Sequence, residues 1–551
     1  MLIDDKIYQA YLEELQHIEK FRASHIALYG DTPLDSEDPN TKRLIEAMAF
    51  FGARARLHGV RQITQIHERL FRQYFPYLVN PLPAFGMLQI TPSIRYPERV
   101  TLAAGSELIF KTSNQLKATF QTLDAVDIFP LFLKNFQFEK HEGFGWRCII
   151  EYSSLHVSTE ELGSMKFYIN HLNSFFSSLR VLFAIQHSLI KARVFYDTPE
   201  IHSAEGFECP LSFGSNTQER SIFFHEIEQI RSLLHLPQQE LFLNFSVPPC
   251  GKRWKTVTFC LDFNEKWPDS IKLNADSFLP FIVPIANFRK AHADPIISDG
   301  TKDSFPILHP EPIYQFELHT VLNVSKVLTN GTKPLKPGIL GKVGDSYEVD
   351  YFNKNLLLDL PEAFHDPATV IIEALWTQPW FSDYMNVELD LQFNAAQAFG
   401  LGTRLLGSLH RHEQSIEDDP EFLIRLLSLK NQSYLNLNEI LFIVNAMKKL
   451  SGSFFDAIPD WILDLKTRQR MDQKNFSSVI EYEFFLKDWN GQRWEAVVLF
   501  FKYINRMLSS WLPHFEIETI VHFPQIKKPL ILKQGKDYEL SALAGHFFLS
   551  Q

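Results

Sequence analysis

Cysteine is scarce in this chain. Four thiols, Cys148, Cys209, Cys250 and Cys260, are scattered through 551 residues without a Cys-x-x-Cys pair. That spacing argues against a disulfide framework and for a reducing cytoplasm. No run of about 18 apolar residues occurs, so no membrane-spanning helix is expected. The opening MLIDDKIYQAY carries acidic residues and no apolar segment, unlike a signal peptide. A basic excess is also lacking. The net charge is −11 and the pI near 6.0, so nucleic acid is not an expected partner.

Chemical motifs are absent as well. There is no His-Glu-x-x-His, no Cys/His set with zinc spacing, no phosphate-binding Walker loop and no Gly-x-Ser-x-Gly elbow. GLGTRLLG (400–407) misses the dinucleotide fingerprint by a register. His410 and His412 are two apart, which points them to opposite sides of a strand, a poor start for a shared metal. The acidic run SIEDDPEF (415–422) reads as a solvated turn with a helix cap at Asp418 or Asp419. Trp376 and Trp380 in LWTQPWF suit a core or interface anchor better than a sugar-binding groove. The expectation is no catalytic residue, no metal and no cofactor, hence no enzyme. A carbohydrate-active hydrolase remains the competing class, and it needs convergent carboxylates near that Trp-rich stretch.

What the chain has in quantity is phenylalanine, 49 residues, as suited to large interfaces as to large cores. It also has long helical patterns. Ile7, Tyr11, Leu15, Ile18 and Phe21 form one stripe over residues 3–24. Asp38-Pro39 is a start signal for a second helix. Leu44, Ile45, Met48, Phe51, Ala55, Ile63, Ile66, Leu70, Phe71 and Tyr74 carry it to about residue 75, with Gly52 and Gly59 as places to bend. Two such helices cannot bury both stripes between themselves and need further helices, from this chain or another.

The pattern then changes abruptly. YFPYLVNPLPAF (74–85) sets Pro76, Pro81 and Pro83 among aromatics. Proline cannot donate the next helical hydrogen bond and restricts the residue before it, so the stretch reads as a rigid structural elbow from helix to sheet. Short alternating runs such as AFGMLQITP, RVTLAAGSELIF and WRCIIEYS follow. They extend to about 335, interrupted by one helix candidate at 170–183. Residues 336–412 are mixed. From 419 to 452 the pattern is helical again, with Gly452 as a stop, and 493–512 is a further helix. The fold class is a multi-domain α+β chain: a helical arm (1–80), a β-rich domain (81–335), a mixed middle segment (336–412) and a C-terminal α/β domain (413–551).

Several of these stretches, in this order, resemble the TssF (VasA/ImpG) family of type VI secretion baseplate subunits. YQAYLEELQHIEKFRASH is similar to the family's opening helix. DPNTKRLIEAMAFFGARARL is similar to its second, and LFRQYFPYLVNPLPAFGMLQ to its Tyr-Pro-x-Tyr-Leu-x-Pro-x-Pro elbow. VTLAAGSELIF resembles its Ile-Pro-x-Gly-Thr strand turn, VPIANFRKAHADPI (283–296) its mid-chain block and FLIRLLSLKNQSYLN (422–436) its late helix. Residues 336–412 do not resemble it: LWTQPWFSDYM stands where an Asn-Arg-Asp-Leu-Pro segment is usual.

The resemblance implies a mechanical role. Two copies of the subunit would join one TssG in a wedge, and TssK, TssE and the VgrG hub would complete a baseplate that templates sheath and tube. It would work in the cytoplasm at the inner face of the bacterial inner membrane, without inserting into it. The bundle face would consist of Tyr11, Leu15, Ile18, Phe21, Met48, Phe51, Leu70 and Phe71. A wedge protein of another phage-like contractile particle is the alternative within the same class.

Overall fold

The computed structural model describes the chain apart from residues 1, 30–38, 94–97, 113–115, 198–205, 215–224, 339–343, 352, 385–388, 395–397, 399, 415, 417–419, 472–477, 490, 534–546 and 549–551. The expected caps at Asp38, Asp418 and Asp419 therefore lie outside the described residues. Three helices open the chain: α1 (Leu2–Tyr29), α2 (Pro39–Tyr74) and the single turn α3 (Pro76–Val79). Next, α4 (Phe175–Ser188) and α5 (Glu226–His235) interrupt the strands. The last third holds α6 (Pro420–Lys430), α7 (Leu437–Met447), the single turn α8 (Ile458–Trp461) and α9 (Trp494–Trp511).

These elements form two compact units. One combines Met1–Val79 with Glu417–Gln432, and the other Asn80–Ile416 with Ser433–Gln551. In the first, α2 runs unbroken for 36 residues, about 54 Å. It passes straight through Gly52 and Gly59, since a cost of about 1 kcal/mol for each glycine does not outweigh continuous pairing. α6 packs on α2 and buries Leu423, Leu426 and Leu429, spaced three apart on one face.

The helical pattern over 419–452 thus resolves into two helices in different units. The break comes at Asn436, whose side chain accepts from the Glu439 N–H at 3.0 Å while the Glu439 carboxylate accepts from the Asn436 N–H at 2.7 Å. This reciprocal cap starts α7 afresh.

The second unit is built on sheets. A six-stranded sheet runs in the order Leu389–Phe393, Glu107–Thr112, Lys117–Thr122, Ile282–Ala286, Phe85–Thr91 and Gly402–His410. GLGTRLLG lies largely in its last strand, where Leu405 pairs with Leu88. The mixed middle segment thus supplies both edges of a sheet whose inner strands come from much earlier in the chain. Phe110, Phe120 and Phe381 cluster in its core at 4.3–5.9 Å between ring centres, tilted or edge to face.

A five-stranded sheet centres on Trp254–Phe263. There Asp262 is fully buried and accepts from Arg147 Nε at 2.7 Å and Arg193 Nη2 at 2.9 Å. In the C-terminal part, Ser478–Leu486 and Glu516–His522 pair in parallel. α9 makes the crossover between them, as parallel neighbours require.

α5 was not legible as a helix. Its N-cap is His225, which accepts from Ile227 N–H at 3.1 Å, and Glu228 closes the box. Histidine is outside the usual Ser/Thr/Asp/Asn set, so the start signal is masked. Ile227, Ile230, Leu233 and Leu234 form its buried side.

Candidate functional site

Two features could serve an assembly: the faces of the helical unit and the proline elbow. On α2, Ala49 and Ala53 are buried and Ile45 and Gly52 partly so. They mark the seam with α1, whose Ala10 is buried and whose Glu14 side chain lies 3.8 Å from where a Gly52 Cβ would stand. Arg56 ties the seam by bridging Glu13 at 2.6 Å and Glu14 at 3.3 Å.

A second apolar stripe on α2 faces away from that seam. Leu44, Met48 and Phe51, at steps of four and three, share one face about 130° from Ala49, and they are 55%, 60% and 68% exposed. The structure therefore divides the eight residues named for the bundle. Tyr11, Leu15 and Ile18 are partly buried, and Phe71 is buried against Phe75 at 5.1 Å. Phe21, Met48, Phe51 and Leu70 are exposed. Periodicity located the stripes but could not say which one the chain covers itself.

At the elbow α2 ends at Tyr74, and Pro76 opens the single turn α3. Pro76 fits there because the first turn of a helix leaves its N–H groups without intrahelical partners. After Val79 the backbone is extended into Phe85–Thr91. Pro81 and Pro83 bring no donors, so carbonyls and one amide hold the stretch. The Asn80 carbonyl accepts from Arg231 Nη2 at 2.7 Å, and Arg231 Nε also reaches the Met447 carbonyl at 3.1 Å. The Pro81 carbonyl lies 3.1 Å from His319 Nε2. A carbonyl only accepts, so Nε2 carries the proton, and Nδ1 faces the Thr320 hydroxyl at 3.0 Å. Leu82 pairs both ways with Glu413, at 2.8 and 2.9 Å. Nothing in the sequence pointed to Arg231, His319 or Glu413, which reach the elbow from distant parts of the chain.

Arg231 is 4% exposed. Burial lowers its pKa to about 10, against the pull of Glu228 and Glu413, so it stays charged at neutral pH. Replacing it with Met would take a charged donor away from the Asn80 and Met447 carbonyls, at about 1–3 kcal/mol each. Arg231→Met is therefore expected to lower unfolding free energy by about 2–6 kcal/mol. It should also speed amide exchange at Leu82, readable by hydrogen–deuterium exchange. Unchanged exchange there would remove the clamp role.

The same region sets a pH dependence. Burial lowers the pKa of His319 to about 3, helped by His412 and Arg231 and opposed by the Pro81 bond. Burial and then Lys448 lower His410 to about 4. An unfolded histidine titrates near 6.5, so below that pH the unfolded chain takes up protons the fold refuses. Stability is intact above about pH 6.5 and falls as pH drops toward the folded values, by up to about 2 kcal/mol per histidine at pH 5. Denaturant midpoints at pH 7 and 5 should show this loss. His319→Gln, which can still donate to Pro81, should reduce it. An equal loss in variant and parent would show that His319 carries none of it.

Trp376 is 1% exposed, and its Nε1 donates to the Ala291 carbonyl at 3.1 Å. It is core, as its residue type favoured. Trp380 is partly buried and donates to the Tyr314 carbonyl at 3.2 Å. Contrary to the expectation from their spacing, His410 and His412 line one cavity. Among the described residues no group of three or more His, Cys, Asp or Glu is placed to hold a metal ion, and no helix is long and apolar enough to cross a membrane.

A helical unit with an uncovered apolar stripe, followed along the chain by a proline-rich stretch and a multi-sheet unit, is the build of an assembly subunit. The chain matches the family described as type VI secretion system, TssF, over residues 3–340, and it belongs to that family. A solved structure of the type VI TssK-TssF-TssG baseplate subcomplex contains a chain matching it with a TM-score of 0.70. Identity is 15%, over 91% of this chain and 99% of that one. A chain in a structure of the type VI baseplate complex matches with a TM-score of 0.59 and 15% identity, over 97% and 98%. No curated protein matches.

Proposed function

We propose that this chain is a structural wedge subunit of a type VI secretion baseplate, acting by assembly and shape change rather than by catalysis. The observation that carries this is the exposed Leu44–Met48–Phe51 stripe on a helix of 36 residues, in a chain of the TssF family. Three large apolar side chains left in water on one face of a long helix are an interface in waiting. The partners that fit are TssG and a second copy of this chain, two copies to one TssG, with TssK, TssE and the VgrG hub completing the particle. Work would take place in the cytoplasm, at the inner face of the inner membrane. The elbow, held at Asn80, Pro81 and Leu82, would fix the backbone that leads into the first strand.

Native mass spectrometry of the chain co-expressed with TssG tests the reading, beside the chain alone and a version lacking residues 1–75. A two-to-one complex that vanishes with the deletion supports it. A monomer indifferent to TssG overturns it.

A further inference from the structure

A cavity of about 370 Å³ lies wholly within the second unit, between the last turn of α5, the end of strand Gly402–His410 and the loop from α7 to α8. We propose that it binds an oxyanion, a phosphate or a carboxylate. Of the contacts assigned to the wedge role, only the Leu82–Glu413 backbone pair of the elbow touches its wall.

Charge is the first argument. Arg411, Lys448 and Arg493 line the space with a single carboxylate, Glu413. Glu413 is committed to Lys448 and to the Lys449 N–H at 3.0 Å. Neither Arg411 nor Arg493 has a carboxylate partner among the described residues. Arg493 instead lies over the Phe176 ring at 4.1 Å, an orientation that keeps a guanidinium at the wall of the cavity.

A neutral histidine lines the same wall. His235, also in the wall, is 4% exposed; burial, with His410 and Lys448 beside it, holds its pKa well below the usual histidine value, against the pull of the Arg411 backbone carbonyl. Its Nδ1 is 3.8 Å from Glu413 Oε2, too far for a hydrogen bond. The ring is neutral and adds no charge of its own, so Arg411, Lys448 and Arg493 set the sign of the cavity.

Helix ends agree with this sign. Arg493 is the N-cap of the 18-residue α9, and Phe176 lies in the first turn of the 14-residue α4. Both present the positive end of a helix to the cavity. α5 offers its opposite end, yet the Ser232 carbonyl there is already taken by the Leu236 N–H and the Gln239 amide.

The same chemistry suits a free phosphate or an acidic side chain of a partner protein, and the probes separate them. Isothermal titration of the full chain would use inorganic phosphate in one arm and N-acetylglutamate N-methylamide in the other. Arg411→Gln removes an exposed charge. Arg493→Gly removes the other at φ +59, where glycine is the unstrained residue, so both variants should fold. Arg468→Gln, on an exposed strand away from the cavity, is the control.

The expected result is one-site saturation by at least one probe, weakened roughly tenfold or more in both variants and unchanged in the control. Saturation by phosphate alone assigns the site to a free anion, and by the capped glutamate alone to a protein carboxylate. No saturation up to about 10 mM, or equal binding by the parent, Arg411→Gln and Arg493→Gly, overturns the proposal.

Discussion

Met48→Asp with Phe51→Asp should abolish co-purification with TssG while the isolated chain stays folded. Both side chains are well exposed in the chain itself, 60% and 68%, so carboxylates there cost the monomer little. Buried against a partner, each would lose hydration without a counter-charge. Penalties of several kcal/mol apiece follow, enough for a loss of roughly a thousandfold or more in affinity. Exposed aromatic and Met side chains on one helical face are also the anchors on which interface energy concentrates.

Leu15→Asp with Ile18→Asp makes the contrast. Those residues are partly buried, and aspartates there should unpair α1 from α2, lowering the melting temperature as well as the complex yield. Circular dichroism with size-exclusion co-elution separates the two outcomes. If Met48→Asp/Phe51→Asp still elutes with TssG at full stoichiometry, the exposed stripe is not the interface.

The largest loss of stability is expected at Asp262. It sits on the central strand of its sheet, between the strand carrying Arg147 and the strand carrying Arg193, and it is their common acceptor. The exposures of the three side chains are 1%, 4% and 14%. With Asp262→Ala, two largely buried guanidinium groups lose their common acceptor. Breaking such a site typically costs about 3–5 kcal/mol. Asp262→Asn should cost less, because the amide oxygen still accepts one bond. Urea unfolding checks the order: parent above Asn above Ala. If Asp262→Ala were within about 1 kcal/mol of the parent, water rather than the aspartate would be solvating the arginines.

Much of the architecture follows from neighbours along the chain. The period of Ile7, Tyr11, Leu15 and Ile18 specifies α1, and the apolar run after Arg493 specifies α9. The prolines at 76, 81 and 83 stop a helix whatever surrounds them, because a missing N–H and a locked φ are local properties. The family likeness of the N-terminal stretches could be read the same way.

Other features depended on contacts between distant segments. α2 carries one stripe through Ala49 and Ala53 and another through Leu44, Met48 and Phe51, both helical in period. Only packing shows that α1 takes the stripe with small side chains, where backbones approach closely, and leaves the larger residues uncovered. Leu389–Phe393 became a strand because Leu391 meets Phe110, and α6 joined the helices that open the chain. Arg231 and His319 hold the elbow from positions with no motif of their own. The repeat of a helix and the alternation of a strand are set locally by the backbone and are written in residue order. The choice of partner depends on shape, burial and chain closure between segments far apart in sequence, which no local pattern records.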